Sequence, residues 1–490
     1  MKILFFFLSF SLAFSSSPTL KCARIQDAST LDPAVERTLY SAEVISNMFE
    51  GLVEVETPGF KVKPLLAEKW EKSADGKTWR FYLRRGIKFH DGNELDADAV
   101  VYSFRRFMRK NPIRFRSFFR YFEEIRKIDD YTVEFRLSKP DSVFLLYLSM
   151  PGAFIVSPKA EEMGKFKPIG TGPFILGKWE RRKFILLRAN QNYWQGKPKI
   201  GKLMFIAIPN TEWRLLQLKN GNAHILRLFS LREYNELKHN PFIKMLHTPN
   251  IIMSYIGFNT SRPPFNDRRV REAFAHIISK ERLVHLLFSD HAIPAISIVP
   301  PIIPGSNNEL KDYEYDVKKA SKLLAEAGYP DGFSCTLYSV QGRRDLKEFL
   351  LKVKKNAEAV GIKINLKFLP FAELFKIFAS GEHDLFALGW TTDIPDPSSS
   401  LESLLFSKGK NNYSLYHNPK LDRLIVEART TLDEKKRIAL YMKAQQMAHD
   451  DVAVIPLFYS SIIVAYNKSV HGVGVNFRGQ LILKDVSVKP

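Results

Sequence analysis

From Asp316 to Leu369 the sequence switches between the period of a helix and the period of a strand, and this alternation narrows the fold more than any other feature. "DVKKASKLLAEAGYPDG" places Asp316 as a cap, then Ala320, Leu323, Leu324 and Ala327 on one face, Gly328 as a stop and Pro330 beyond it. "LKEFLLKVKKNAEAVGIKINLKFL" reads as helix, glycine, then a strand alternating through Ile362, Ile364 and Leu366. Asp267 starts another helix that buries Val270, Phe274, Ile277 and Ile278. Elements of this kind, repeated, imply α/β lobes with mixed sheets.

The first half has the same grammar in shorter pieces. Lys21 to Ile25 forms a first strand, and Ser41 is expected to cap a helix with Val44, Ile45, Met48 and Phe49 inside and Gly51 as its stop. "TWRFYLRRGIKFHDG" alternates through Trp79, Phe81 and Leu83 and turns at Asp91-Gly92. Asp96 caps a helix carrying Val100, Val101, Phe104 and Phe107, and "YTVEFRL" is a further strand. The sequence contains no internal repeat and no low-complexity linker.

Residues 1–17 read as a secretory signal peptide. Lys2 supplies the positive start, Ile3 to Phe14 the apolar stretch, and Ala13 and Ser15 the small residues for cleavage. Leu20 and Lys21 are bulky where a lipoprotein signal needs small residues, which argues against a lipid on Cys22. No later apolar run reaches the ~20 residues that span a bilayer. The expected product is an exported, soluble protein. The only cysteines, Cys22 and Cys335, make no disulfide framework and are expected to be free and buried. Hydrophobic content of 45% is ordinary for a globular chain, whereas the net charge of +21 is not; it calls for an anionic neighbour without saying which.

Enzyme chemistry leaves no trace. There is no G-x-S-x-G, no H-E-x-x-H and no phosphate-binding G-x-x-x-x-G-K motif. His90 beside Asp91 reads as the flank of a hairpin turn rather than an acid–base pair. Asp393 and Asp396 share one proline-bounded loop, whereas paired glycosidase carboxylates face each other across a cleft. The eleven histidines form no tight metal-ligand pair, and no cofactor is implied. "RRFMRKNPIRFRSFFRYFEEIRK" mixes cations with aromatics, but Pro112 interrupts it. It is expected to bury Phe104, Phe107 and Phe115 and to solvate its arginines, with no nucleic acid involved. "GWTTDIPDPSSS" at 389–400 is expected to form no regular element: an acidic, aromatic, proline-stiffened loop in a basic chain.

An ordered set of stretches now carries a resemblance: "STLDP", "MFEGLVEV", "PLLAEKWEKSADGKTWRFYLRRGIKFHDG", "DADAVVYSF", "IGTGPFIL", "NYWQGKP", "PPFNDRRVREAFAHII", "AEAGYPDG" and "GWTTDIPDP". Across essentially the whole mature chain the sequence resembles the peptide-binding proteins of ABC importers, solute-binding family 5, which also includes dipeptide, nickel and haem binders. The resemblance implies a periplasmic-binding-protein-like α/β fold: two main lobes with mixed sheets, a hinge of two crossovers, and an extra inserted lobe. The implied division is signal peptide 1–17, lobe I over 18–46, 172–262 and 462–490, an inserted lobe II over 47–171, and lobe III over 263–461. The implied protein is a periplasmic monomer that captures oligopeptides and hands them to an inner-membrane ABC permease with its ATPase subunits.

The resemblance also implies a site. Asp393 would hold the ligand's α-ammonium, since a buried ammonium needs a fixed counter-ion. Trp390 would be a flat apolar wall, and the backbones of Gly389 and Thr391 would pair with the peptide main chain as in strand addition. Arg37, Thr38 and Leu39 would form the opposing strand, with Arg37 favouring acidic peptides, and Asn259 would add a main-chain contact. The chain departs from the pattern in two places. Phe386-Ala387-Leu388 precedes Gly-Trp where some members carry a carboxylate-clamping cation, and His224 stands at a usually acidic position. A nickel-chelate or haem receptor is the rival within the family. An envelope chaperone or surface-interaction protein is the rival outside it.

Overall fold

The computed structural model describes residues 19–228, 230–248, 251–288 and 291–489. The expected signal peptide therefore lies outside the described residues. Three sheets organise the chain. The first has seven strands in the order Phe174–Glu180, Phe184–Ala189, Lys202–Ala207, Thr19–Arg24, Ile225–Leu228, Ile463–Asn467 and Ile243–His247. Thr19–Arg24 runs parallel to both its neighbours, while the flanking ladders are antiparallel, so the sheet is mixed. Cys22 is buried in the middle of that strand, and Cys335 is likewise free and buried.

The second sheet has six strands, in the order Ala292–Pro294, Val454–Ser460, Ile252–Phe258, Leu385–Thr391, Ser334–Val340 and Lys363–Leu369. It too mixes parallel and antiparallel pairs. Ile252–Phe258 was expected in the first lobe, but it is paired on both sides within this second sheet. The chain passes between the two sheets after His247 and again after Ser460. The two crossings are stitched together, Thr248 N–H donating to Ile462 O at 2.9 Å and Ile462 N–H to Thr248 Oγ1 at 2.9 Å.

A four-stranded antiparallel sheet, Ala67–Lys72, Thr78–Leu83, Thr132–Leu137 and Phe122–Asp129, forms inside the segment expected as an insertion. Its core is aromatic. Phe104 meets Phe135 edge-on at 4.9 Å, and Phe107, Phe115 and Phe119 pack around them. The helix Ala97–Lys110 lies on this sheet because Asp96 accepts from Ala99 N–H and the apolar residues recur on one face. Of the arginines expected in solvent, Arg105 and Arg109 are exposed but Arg106 is buried, paired with Asp32 at 2.6 Å.

Several local signals are met: Asp267 and Asp316 cap their helices, and Gly92 and Gly328 take left-handed φ of 84° and 91°. Two are not. The helix Leu39–Ile45 is capped by Thr38, because the Ser41 hydroxyl instead accepts from Ser29 and Thr30 N–H and pins the loop before it. Gly51 has no left-handed φ; it is there because a Cβ would stand 2.9 Å from Leu148 O.

Candidate ligand-binding site

The strand Leu385–Thr391 is covered unevenly. On one side Ile252–Phe258 pairs with it along its whole length. On the other, Ser334–Val340 pairs only with Leu385, Phe386 and Ala387. From Leu388 to Thr391 that second edge carries no strand, so its backbone groups are open to an added chain. The covering strand leaves because Gly342, at φ 89°, turns the chain into the helix Arg344–Glu358.

Arg343 stands at this turn. Its Nε and Nη2 are held by Asp345 at 2.9 and 2.7 Å, and Nη2 lies 3.4 Å from Ser254 Oγ. Ser254 is the register partner of Gly389. The remaining nitrogen, Nη1, faces Gly389 so closely that a Cβ there would be 3.0 Å away. The glycine thus lets a guanidinium rest at the start of the open edge.

At the other end lies Asp393. The stretch 389–400 is not irregular as expected: Gly389 to Thr391 end the strand, and Pro397–Leu404 is a helix. Pro397 fits its first position, where no backbone donor is needed, and Asp396 caps it by accepting from Ser398 N–H. Asp396 also pairs with Arg437, so it is spent on structure. Ser399 accepts from Asp393 N–H at 2.9 Å and fixes the backbone. The Asp393 carboxylate itself has no hydrogen bond or ion pair among the described residues. The side chain is accessible, yet it is deep enough among protein atoms that desolvation raises its pKa above the usual 3.8; Arg114 and Arg478 pull it partly back. Accessible and desolvated together describe the wall of a narrow cleft.

Trp390 is half-buried against the core beneath the second sheet, and its indole N–H has no hydrogen-bond partner among the described residues. Thr391 is exposed at the strand end. Of the expected opposing strand, Arg37 is exposed, the Thr38 hydroxyl is committed to Ser41, and Leu39 already begins a helix; the extended residues are Glu36 and Thr38. Asn259 does not reach the site. It is fully buried, its amide donates to Gly381 O and His383 O, and it follows Phe258, whose register partner is Leu385 at the far end from Thr391.

The cations that sequence reasoning missed are Arg114, Arg343 and Arg478. "QGRRD", "NPIRF" and "NFRG" carry nothing local that separates them from other basic turns. His224 accepts from Lys21 N–H at 2.9 Å, a structural role. His90 is likewise taken up by Gly170 N–H and Gly172 O, as the turn reading expects. Among the described residues no group of three or more His, Cys, Asp or Glu gathers for a metal, and no helix is long and apolar enough to cross a membrane.

The family model for bacterial extracellular solute-binding proteins, family 5 (middle), matches residues 61–412. The chain belongs to that family. This family 5 protein is 32% identical over 486 residues to a dipeptide-binding protein of Escherichia coli K12, covering 92% of the chain and 91% of the relative. It is 30% identical over 459 residues to heme-binding protein A of Haemophilus influenzae, covering 87% and 84%. Its fold matches the ABC transporter-associated periplasmic binding protein DppA from Helicobacter pylori in complex with the peptide STSA, at TM-score 0.83 and 30% identity over 96% and 98% of the two chains. As a family 5 member it carries the α/β, mixed-sheet architecture of a periplasmic binding protein.

Proposed function

We propose that this chain is an exported, non-catalytic receptor that encloses a short peptide between its two main sheets and delivers it to an ABC permease and its ATPase subunits. One observation carries the reading: the open edge Leu388–Thr391 is bounded by an arginine with one free nitrogen, Arg343, and by an unpaired carboxylate, Asp393. A peptide laid on that edge meets main-chain donors and acceptors along its length, an anion for its amine and a cation for its carboxylate. An open stretch of four residues is about 13 Å long at strand rise, which suits short peptides. Recognition through backbone and termini tolerates any side chain.

The stitched crossings at Thr248 and Ile462 serve as the hinge, and ligand contacts on both lobes drive closure. The similarity to a dipeptide-binding protein and to a peptide complex supports this reading over a metal or haem ligand. Export through residues 1–17 places the receptor in the periplasm, where it acts as a monomer. Mass spectrometry of small molecules released from the natively purified protein tests it directly. Short peptides are expected; haem, a metal chelate or no ligand at all would overturn the peptide assignment.

A further inference from the structure

Four charged side chains from four separate segments lie within electrostatic reach of one another at the amine end of the site. Glu36 comes from the extended stretch before Leu39–Ile45, Arg114 from Pro112–Phe118, Asp393 from the turn before Pro397, and Arg478 from the turn between Gly474–Val475 and Leu481–Ile482. Arg114 Nη2 lies 3.4 Å from Glu36 Oε2, and its guanidinium sits over Phe118 at 5.2 Å. Arg478 donates to Ser149 O at 2.9 Å, approaches Met150 Sδ at 2.8 Å, and lies over Phe477 at 5.0 Å. These contacts fix both guanidinium groups and leave one nitrogen of each, Arg114 Nη1 and Arg478 Nε, buried without a protein partner.

The charges set a condition on the ligand. Empty, the cluster balances: Glu36 and Asp393 against Arg114 and Arg478. Burial lowers the Arg478 pKa to about 10 even though Asp393 and Glu36 oppose the shift, so its charge is held at a cost. A peptide amine bound at Asp393 takes up that carboxylate and leaves the enclosed cluster with one positive charge in excess. Uncompensated charge in a closed cleft is expensive, and the two buried, unpartnered guanidinium N–H groups gain charge-assisted bonds from an anion seated against them.

We propose that Arg114 and Arg478 are specificity-determining residues that receive a ligand carboxylate lying close to the ligand's own α-amine. This deepens the peptide reading and rests on it. The carboxylate is supplied by an acidic side chain near the peptide's N-terminus, the peptide's own C-terminus remaining with Arg343. The role expected of Arg37 passes to these two residues: Arg37 is exposed, whereas theirs are the fields that reach Asp393.

The test is calorimetric, with the full-length mature protein and five peptides: Glu-Ala-Ala, Gln-Ala-Ala, N-acetyl-Gln-Ala-Ala, Ala-Ala and Ala-Ala amide. Each is titrated into wild type, Arg114→Gln, Arg478→Gln and the charge-retaining Arg478→Lys, with melting curves to check folding. Glu-Ala-Ala is expected to bind wild type at least tenfold more tightly than Gln-Ala-Ala. That ratio is expected to fall below threefold in Arg114→Gln and Arg478→Gln and to survive in part in Arg478→Lys. The Ala-Ala to Ala-Ala amide ratio reports on Arg343 and is expected to stay unchanged in all three variants. A Glu-Ala-Ala to Gln-Ala-Ala ratio unchanged by the substitutions, no acidic preference in wild type, or an acid–amide ratio that collapses with the substitutions would overturn the subsite. Gln-Ala-Ala binding abolished by N-acetylation upholds the peptide reading in either case. Failure of every peptide to bind wild type would overturn that reading itself.

Discussion

The guanidinium of Arg343 rests against the backbone of Gly389, with Nη1 only 3.0 Å from where a Cβ would stand. The neighbour is the free end of a flexible side chain, so Gly389→Ala is expected to displace Arg343 rather than unfold the strand. Stability should stay within about 0.5 kcal/mol of wild type, as for surface substitutions. Affinity for a short peptide with a free carboxylate should fall severalfold in Gly389→Ala and in Arg343→Ala. The double variant should lose little more than the worse single one, because the two changes remove the same contact. Calorimetry on the four proteins decides it: fully additive losses would mean that Gly389 acts by another route.

Asp393 gives the site a pH dependence whose sign can be worked out. Burial raises its pKa, Arg114 and Arg478 opposing, so in the ligand-free protein it protonates above the ordinary range for aspartate. An ammonium binds only the carboxylate. Affinity is therefore full above the raised pKa and is lost as pH falls through it, while the amine-bound state has the lower pKa. Asp393→Asn should weaken binding of a free-amine peptide by at least ~1.5 kcal/mol near neutral pH, the low end for a charge-assisted bond. It should also flatten the acid limb of the affinity profile. An acid limb of unchanged shape in Asp393→Asn would remove Asp393 from the amine site.

What could be read in the sequence was local. Asp96, Asp267 and Asp316 cap their helices because a short acceptor and an apolar face three residues on are sufficient signals. Asp393 was reached only through the resemblance, as the aspartate of the Gly-Trp-x-x-Asp loop; locally it reads as one more acidic residue ahead of Pro395 and Pro397. The misreadings have a common cause in tertiary competition. Ser41 was a plausible cap, but the loop at Ser29 claimed its oxygen. The prolines and serines after Asp393 looked like loop; Pro397 in fact occupies a first helical turn, and the buried Ser398 to Ser400 continue it. Asn259 was placed by resemblance and is consumed by Gly381 and His383. The roles proposed for Arg114, Arg343 and Arg478 depend on folding bringing distant segments near Gly389 and Asp393, and no single-sequence pattern records that.

The second sheet rests on another close approach. Gly257 lies against Phe386, and a Cβ there would stand 2.2 Å from the ring's Cζ. Unlike the arginine at Gly389, that ring is fully buried, touching Tyr255 and Phe378 edges at 5.8 and 5.1 Å, and has nowhere to go. Gly257→Ala should therefore cost about 1–3 kcal/mol, the range for overpacking a core. Phe386→Leu in the same chain should recover part of the loss. Urea melts of wild type and the two variants check this; a Gly257→Ala protein as stable as wild type would show that the ring relocates freely.

Arg429 joins the inserted sheet to the second one. Its side chain is fully buried, pairs with Asp141 at 2.9 Å and Glu402 at 2.8 Å, and donates to Phe118 O at 3.1 Å. Phe118 and Asp141 belong to the inserted segment, Glu402 and Arg429 to helices packed beneath the second sheet. Hinge opening at Thr248 and Ile462 would pull these partners apart, so the cluster favours the closed arrangement. Arg429→Met leaves the buried Asp141 carboxylate without its cation, while Glu402 keeps Arg120 at 2.8 Å, a loss of about 3–5 kcal/mol where the cluster is intact. Carrying a two-state balance from 1:99 to 99:1 takes ~5.5 kcal/mol, so a change of this size shifts most of the population. Small-angle scattering should show ligand-free Arg429→Met as more extended than ligand-free wild type, and saturating peptide should compact it again at a lower apparent affinity. If the variant loses stability in urea but keeps the wild-type radius of gyration with and without peptide, Arg429 is a static brace and closure is controlled elsewhere.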